Sequence, residues 1–256
     1  LSLLFLLMVR RRRRLSAHRM IFPKDSVGIT SFRYLELQHA TKNFSEKRGE
    51  VVWGAVFKGF IKGSNAIAVK RLDGAYQGEK QFRAEVSSIG IIQNINLVKL
   101  IGFCTEGDSR LLVYEHMQNR SLDAHLFHSN ATGLKWSIRY QIAIGVARGL
   151  AYLHDSCQDC IIHCDIKPEN ILLDASFVPK IADFGMAKFL GRDFSRVLTT
   201  MRGTIGYLAP EWISGTVITA KVDVYSYGMI LMELISGRRN SGGNSASDID
   251  DVYFPV

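Results

Sequence analysis

Residues 163–170 read His-Cys-Asp-Ile-Lys-Pro-Glu-Asn, and Asp183-Phe184-Gly185 begins eighteen residues after Asp165. A fold that uses this pattern must bring Asp165, Lys167, Asn170 and Asp183 to one place. Asp165 is suited to accept a proton from a hydroxyl. Asn170 and Asp183 supply oxygens that can hold metal ions beside a polyphosphate. The spacing is that of a phosphoryl-transfer site, and free solvated acids would not need it.

Further strings occur in register with this one. Ile67-Ala68-Val69-Lys70 reads as a strand ending in a cation, and Ala209-Pro210-Glu211 follows the Asp-Phe-Gly string. From residue 81 to residue 89 the apolar spacing is helical: Phe82, Val86 and Ile89 share a face, and Glu85 lies on that face too. An inward carboxylate is costly unless a cation meets it. Lys70 is the expected cation; the alternative is a rim position for Glu85.

Taken together these strings resemble the protein kinases, from about Phe32 onward. Lys167 and Gly203-Thr204 resemble the serine/threonine class. The segment around Phe32-Arg33-Tyr34 and the runs at 196–204 and 206–213 are similar to plant receptor-like kinases of the G-type lectin S-receptor-like subgroup. The resemblance implies an α+β, two-lobed kinase-like fold. A small β-rich lobe with one helix would span about 45–117, and a mostly helical large lobe about 118–256. The family's large lobe carries three or more further helices, so the C-terminus is expected to be incomplete. Glu211 would then lack its Arg partner.

The resemblance also implies ATP and Mg2+, with Mn2+ as a substitute, and protein substrates carrying Ser or Thr. Lys70 would hold the phosphates with Glu85 orienting it, and Lys167 would steady the transferring group. Asn170 and Asp183 would bind metal. Val56, Ala68 and Leu172 would enclose adenine, with backbone groups of Glu115 and Met117 hydrogen-bonding it and Tyr114 as gatekeeper. Arg48, Gly49, Val51 and Gly54 fall on the loop over the phosphates.

Two departures stand out. Val51 occupies the middle position of a loop that usually reads Gly-x-Gly-x-x-Gly, and Glu50 adds negative charge beside it. A β-branched residue there adds bulk and restricts the backbone where the loop must approach phosphate. Cys164 stands where many kinases carry Arg, and a thiol cannot make a bidentate contact to phosphate. Activity is therefore expected to depend little on phosphate in the activation segment. The Val51 defect keeps a second reading open, a weakly active or pseudokinase-like scaffold that docks partner kinases.

The chain has 256 residues and a net charge of +8. Seven basic residues and no acid fall within residues 1–24, so the remainder is near neutral. That distribution argues against a nucleic-acid groove and for a membrane surface. Residues 1–9 are apolar and Arg10 to Arg14 follow directly. The order is wrong for a secretory signal, and a full span needs about 20 apolar residues. The run is read as the end of a transmembrane helix with a basic stop, or alternatively a mispredicted gene start. Residues 10–44 form a basic juxtamembrane segment, with a flexible linker over 10–31, and the kinase domain covers 45–256. The expected setting is a single-pass protein of the plasma membrane with this domain in the cytoplasm.

Cys157, Cys160 and Cys164 crowd the entry to the catalytic loop. In a reducing compartment they are expected to stay free rather than bind zinc or pair. Residues 45–73 suit a hairpin and a third strand, and residues 111–117 a strand running into the hinge. Ile138, Ile142, Val146, Leu150 and Leu153 predict an amphipathic helix. Residues 222–235 are apolar nearly all round but too few to span a membrane, which predicts a buried central helix.

Overall fold

A computed structural model describes residues 28–51, 54–61, 65–74, 76–90, 92–127, 133–190, 203–214 and 217–240. The expected membrane segment, its arginine stop and the activation-segment residues Ser195, Thr199 and Thr200 lie outside these residues. Among them, no helix is long and apolar enough to cross a membrane.

The chain opens with β1 (Thr30–Ser31) and helix α1 (Tyr34–Ala40), then β2 (Lys47–Val51), β3 (Gly54–Ile61) and β4 (Asn65–Leu72). Helix α2 (Gln77–Ile89) precedes β5 (Leu100–Cys104) and β6 (Arg110–Glu115). These strands form one six-stranded sheet in the order β1-β5-β6-β4-β3-β2. The hairpin and third strand expected over 45–73 are β2, β3 and β4. Helix α2 starts a turn before the apolar periodicity does. Its first residues, Gln77 to Lys80, are apart from Gly78 polar and carry no periodic signal.

Period-two alternation splits the small lobe into two cores. Ile67 and Val69 of β4, with Leu111 and Val113 of β6, point to one face, where Leu37 of α1 covers them. Leu72, Leu112 and Tyr114 point to the other face, where Phe82 and Ile89 of α2 pack. Lys70 shares that second face by strand parity. The folded sheet therefore takes in residues ahead of position 45: β1 pairs parallel with β5, and α1 supplies the lid of the outer core. The linker expected over residues 10–31 ends in a strand at Thr30, because the backbone of β5 offers an open edge.

The large lobe begins with α3 (Asp123–Leu126) and α4 (Trp136–Ala151), which runs into a π-turn at Tyr152–Ser156. Two short ladders follow. β7 (Cys160–Ile162) pairs with β10 (Lys188–Leu190), and β8 (Ile171–Leu173) pairs with β9 (Pro179–Ile181). Each catalytic string lies between strands of these ladders: residues 163–170 between β7 and β8, and Asp183 between β9 and β10. The nested ladders place the two strings side by side. α5 (Glu211–Ser214) and α6 (Lys221–Ser236) complete the described lobe. Gly237 ends α6 at φ 68°, a left-handed stop suited to glycine. Val222, Met229, Ile230 and Leu234 of α6 are buried, whereas Met232 and Ile235 are exposed.

Candidate active site

β4 and α2 carry the first half of the site. Lys70 is 4 % exposed and Glu85 is fully buried. Lys70 Nζ lies 2.6 Å from Glu85 Oε1 and 2.8 Å from Asp183 Oδ1. Burial alone would lower the Lys70 ammonium, yet the charges of Asp183 and Glu85 raise it, so it stays protonated. Burial pushes Asp183 up, but Lys70 outweighs that and holds it at about 2. Burial also drives Glu85 upward, against Lys70 and the Tyr114 hydroxyl, which donates to Glu85 Oε2.

Asp183 has φ 65° and ψ 74°, and its Oδ1 accepts the Gly185 amide at 3.3 Å. That left-handed step turns Phe184 into the core, where it is fully buried and meets the His163 ring edge-on at 4.9 Å. His163 Nε2 donates to Ala182 O at 3.0 Å, and His163 Nδ1 accepts the Asp165 amide at 3.2 Å. The carbonyl can only accept, so the proton sits on Nε2. One imidazole thereby links the two strings.

The second half is the loop of residues 163–170. Asp165 Oδ1 accepts from Thr204 Oγ1 at 2.8 Å. Asp165 Oδ2 meets Lys167 Nζ at 2.8 Å and accepts from Asn170 Nδ2 at 3.0 Å. A carboxylate has about four lone-pair sites, so these three donors leave roughly one, on Oδ1, for an incoming hydroxyl. Lys167 Nζ also reaches Thr204 Oγ1 at 2.9 Å. Asn170 spends its Nδ2 on Asp165, and its side-chain oxygen and Asp183 Oδ2 are the atoms that would hold a cation. Two such oxygens suit a hard divalent ion such as Mg2+.

Beneath the loop, Asp223 of α6 is fully buried. It accepts the amides of His163 at 2.8 Å and Cys164 at 2.9 Å, and His154 Nε2 lies 2.9 Å away. Cys164 takes φ 68°, a conformation that costs energy for a non-glycine residue and is held here by that grip. Burial and Asp223 push its thiol far up, so it stays neutral.

The protein kinase domain family matches residues 43–252. The chain belongs to the protein kinase family. It is 66% identical over 221 residues to a G-type lectin S-receptor-like serine/threonine-protein kinase of Arabidopsis thaliana, covering 85% of this chain and 27% of that protein. A second Arabidopsis kinase of the same description is 55% identical over 236 residues, covering 90% and 30%. One from Oryza sativa subsp. indica is 51% identical over 229 residues, covering 88% and 28%. The chain thus spans under a third of the length of these kinases.

The kinase fold gathers Lys70, Glu85, Asp165, Lys167, Asn170 and Asp183, the residues singled out in the sequence. The nucleotide-side positions are more scattered. Val56 is opposite Lys70 in the β3–β4 register, and Ala68 opposite Tyr114 between β4 and β6. Ala68 and Leu172 are half-buried against the same core. Gly49 pairs with Val56 and Val51 with Gly54, while the side chain of Val51 lies outside the described structure. Arg48 spends its guanidinium on Glu46 at 3.1 Å. Glu115 donates its amide to Lys99 O at 3.2 Å, and Met117 follows β6 by two residues. Among the described residues no His, Cys, Asp and Glu cluster of three or more can hold a metal, and all four cysteines are free.

Sequence reasoning passed over Asp223, and gave His163 no part in linking the two strings. Asp223 carried the same signal as Glu85, an acid within an apolar helical run.

Proposed function

We propose that this domain transfers the γ-phosphoryl group of ATP to Ser or Thr hydroxyls of proteins. One observation carries the reading: the buried pair Lys70 and Glu85 is joined to the half-buried Asp183 while Asp165 keeps one acceptor site free. Lys70 would hold the α- and β-phosphates, and Glu85 fixes where its ammonium points. Asn170 and Asp183 would hold Mg2+ or Mn2+, which supplies neutralisation of phosphate charge when bound. Asp165 would receive the hydroxyl proton through Oδ1, with Thr204 and Lys167 fixing the carboxylate. Lys167 would also steady the transferring group. Lys167 and Thr204 support a Ser/Thr rather than a Tyr acceptor.

A place at the plasma membrane is supported by the relatives' description as S-receptor-like and by Arg10 to Arg14 after an apolar run. Radiolabelled phosphotransfer by the purified chain to a Ser/Thr-rich protein tests the reading, with Asp183→Asn as control. Label incorporation that Asp183→Asn abolishes is the expected result. Nucleotide binding without transfer would replace it with the scaffold reading.

A further inference from the structure

We infer that residues 28–32 form a strap that sets helix α2, and that Ile29 is a positioning residue for Glu85. The strap is fixed at the sheet edge. Thr30 and Ser31 pair parallel with Gly102 and Phe103, and the Phe32 amide donates to Phe103 O at 2.8 Å. So close an approach needs glycine: a Cβ on Gly102 would lie 2.2 Å from Thr30 O and 2.5 Å from the Phe32 ring.

From that anchorage the strap reaches α2 at two points. Ile29 is half-buried against the main core, and its Cδ1 lies 2.8 Å from where a Cβ on Gly90 would sit. Gly90 closes α2, donating its amide to Val86 O at 3.2 Å. The second point is indirect. Phe103, held next to β1, meets Phe82 of α2 edge-to-face at 6.0 Å. Glu85 lies on the helix between these two contacts. A regular helix moves as a rod, so displacement at Gly90 carries Glu85 with it. The Lys70–Glu85 contact at 2.6 Å tolerates only a fraction of an ångström before it opens. Whatever holds or releases residues 28–32 therefore controls the ion pair. Only the effect on catalysis rests on the kinase activity proposed above; the hold on α2 does not.

The test uses the full chain and the variants Ile29→Ala and Ile29→Val. Backbone amide exchange is followed by mass spectrometry, which needs no activity. Ile29→Ala should speed exchange about tenfold across residues 84–90 and leave α6 unchanged, with Ile29→Val restoring most of the protection. Phosphotransfer should fall about fivefold in Ile29→Ala, chiefly in kcat, and recover in Ile29→Val. Unchanged exchange in α2, or a rise that is equal in α6, overturns the inference. If Ile29→Ala does not fold, Ile29→Val must show a smaller rise confined to the same segment, and its absence overturns the inference equally. A selective rise in a wild-type background that transfers no phosphate leaves the strap standing and removes the catalytic reading.

Discussion

Tyr114 donates its hydroxyl to the carboxylate of Glu85, so a side chain of β6 also holds the partner of Lys70. β6 and α2 are thereby tied through a buried hydrogen bond as well as through packing. Tyr114→Phe leaves a buried carboxylate oxygen without its donor. The expected cost is about 1–3 kcal/mol in urea unfolding, with phosphotransfer reduced severalfold. An unfolding midpoint equal to wild type would show that the hydroxyl holds nothing.

Asp183 makes one part of the stability pH-dependent, opposed by the raised carboxyl of Glu85. The folded value of Asp183, about 2, lies below the ordinary 3.8. The ionised form is thus favoured more in the folded chain than in the unfolded one. That contribution is complete above pH ~4 and is lost as pH falls through about 2. Its size is about 2 kcal/mol. Urea titrations of wild type and Asp183→Asn should show a gap of that order at pH ~7 that closes toward pH ~2. A gap that does not change with pH would assign the loss to packing.

Thr204 and the activation segment should part company. Thr204→Val removes a donor to Asp165 and an acceptor for Lys167, so kcat should fall about tenfold or more with KM nearly unchanged. Replacing Ser195, Thr199 and Thr200 together by Ala should leave most activity, because the neutral thiol of Cys164 offers no phosphate contact. Kinetics of the triple variant as poor as those of Asp165→Asn would mean that phosphate gates the segment after all.

Val51→Gly should tighten nucleotide binding about tenfold by calorimetric titration, since one restored backbone contact to phosphate is worth about 1–2 kcal/mol. Equal or weaker binding would show that Val51 does not obstruct the loop.

The chemistry was more legible in the sequence than its supports were. Glu85 announced itself as a carboxylate on an apolar helical face, and Lys70 as a cation ending a strand. Both follow from periodicity and from the cost of burying unpaired charge. Asp223 obeys the same logic, but the apolar run around it invited a reading as packing alone. The Tyr114–Glu85 bond joins residues 29 positions apart on different elements, and no local pattern encodes such a pair. β1 and α1 were hidden for another reason. They follow a strongly basic stretch, and charge dominated the reading where short apolar pairings decided the structure.

Helix α6 carries more than the grip of Asp223 on the catalytic loop. Ser226 Oγ donates to Tyr207 O at 2.7 Å, and Glu233 Oε1 accepts from Tyr207 Oη at 2.7 Å. Tyr207 sits three residues beyond Thr204, on the stretch that steadies Asp165. One rod thus serves as a common chassis for the loop of Asp165 and for the shelf beside it. Hinge motion between the lobes would change how Lys70 meets a nucleotide, but it would not alter the register between Asp165 and Thr204. Grip on the nucleotide and alignment of the acceptor can therefore be tuned by separate substitutions.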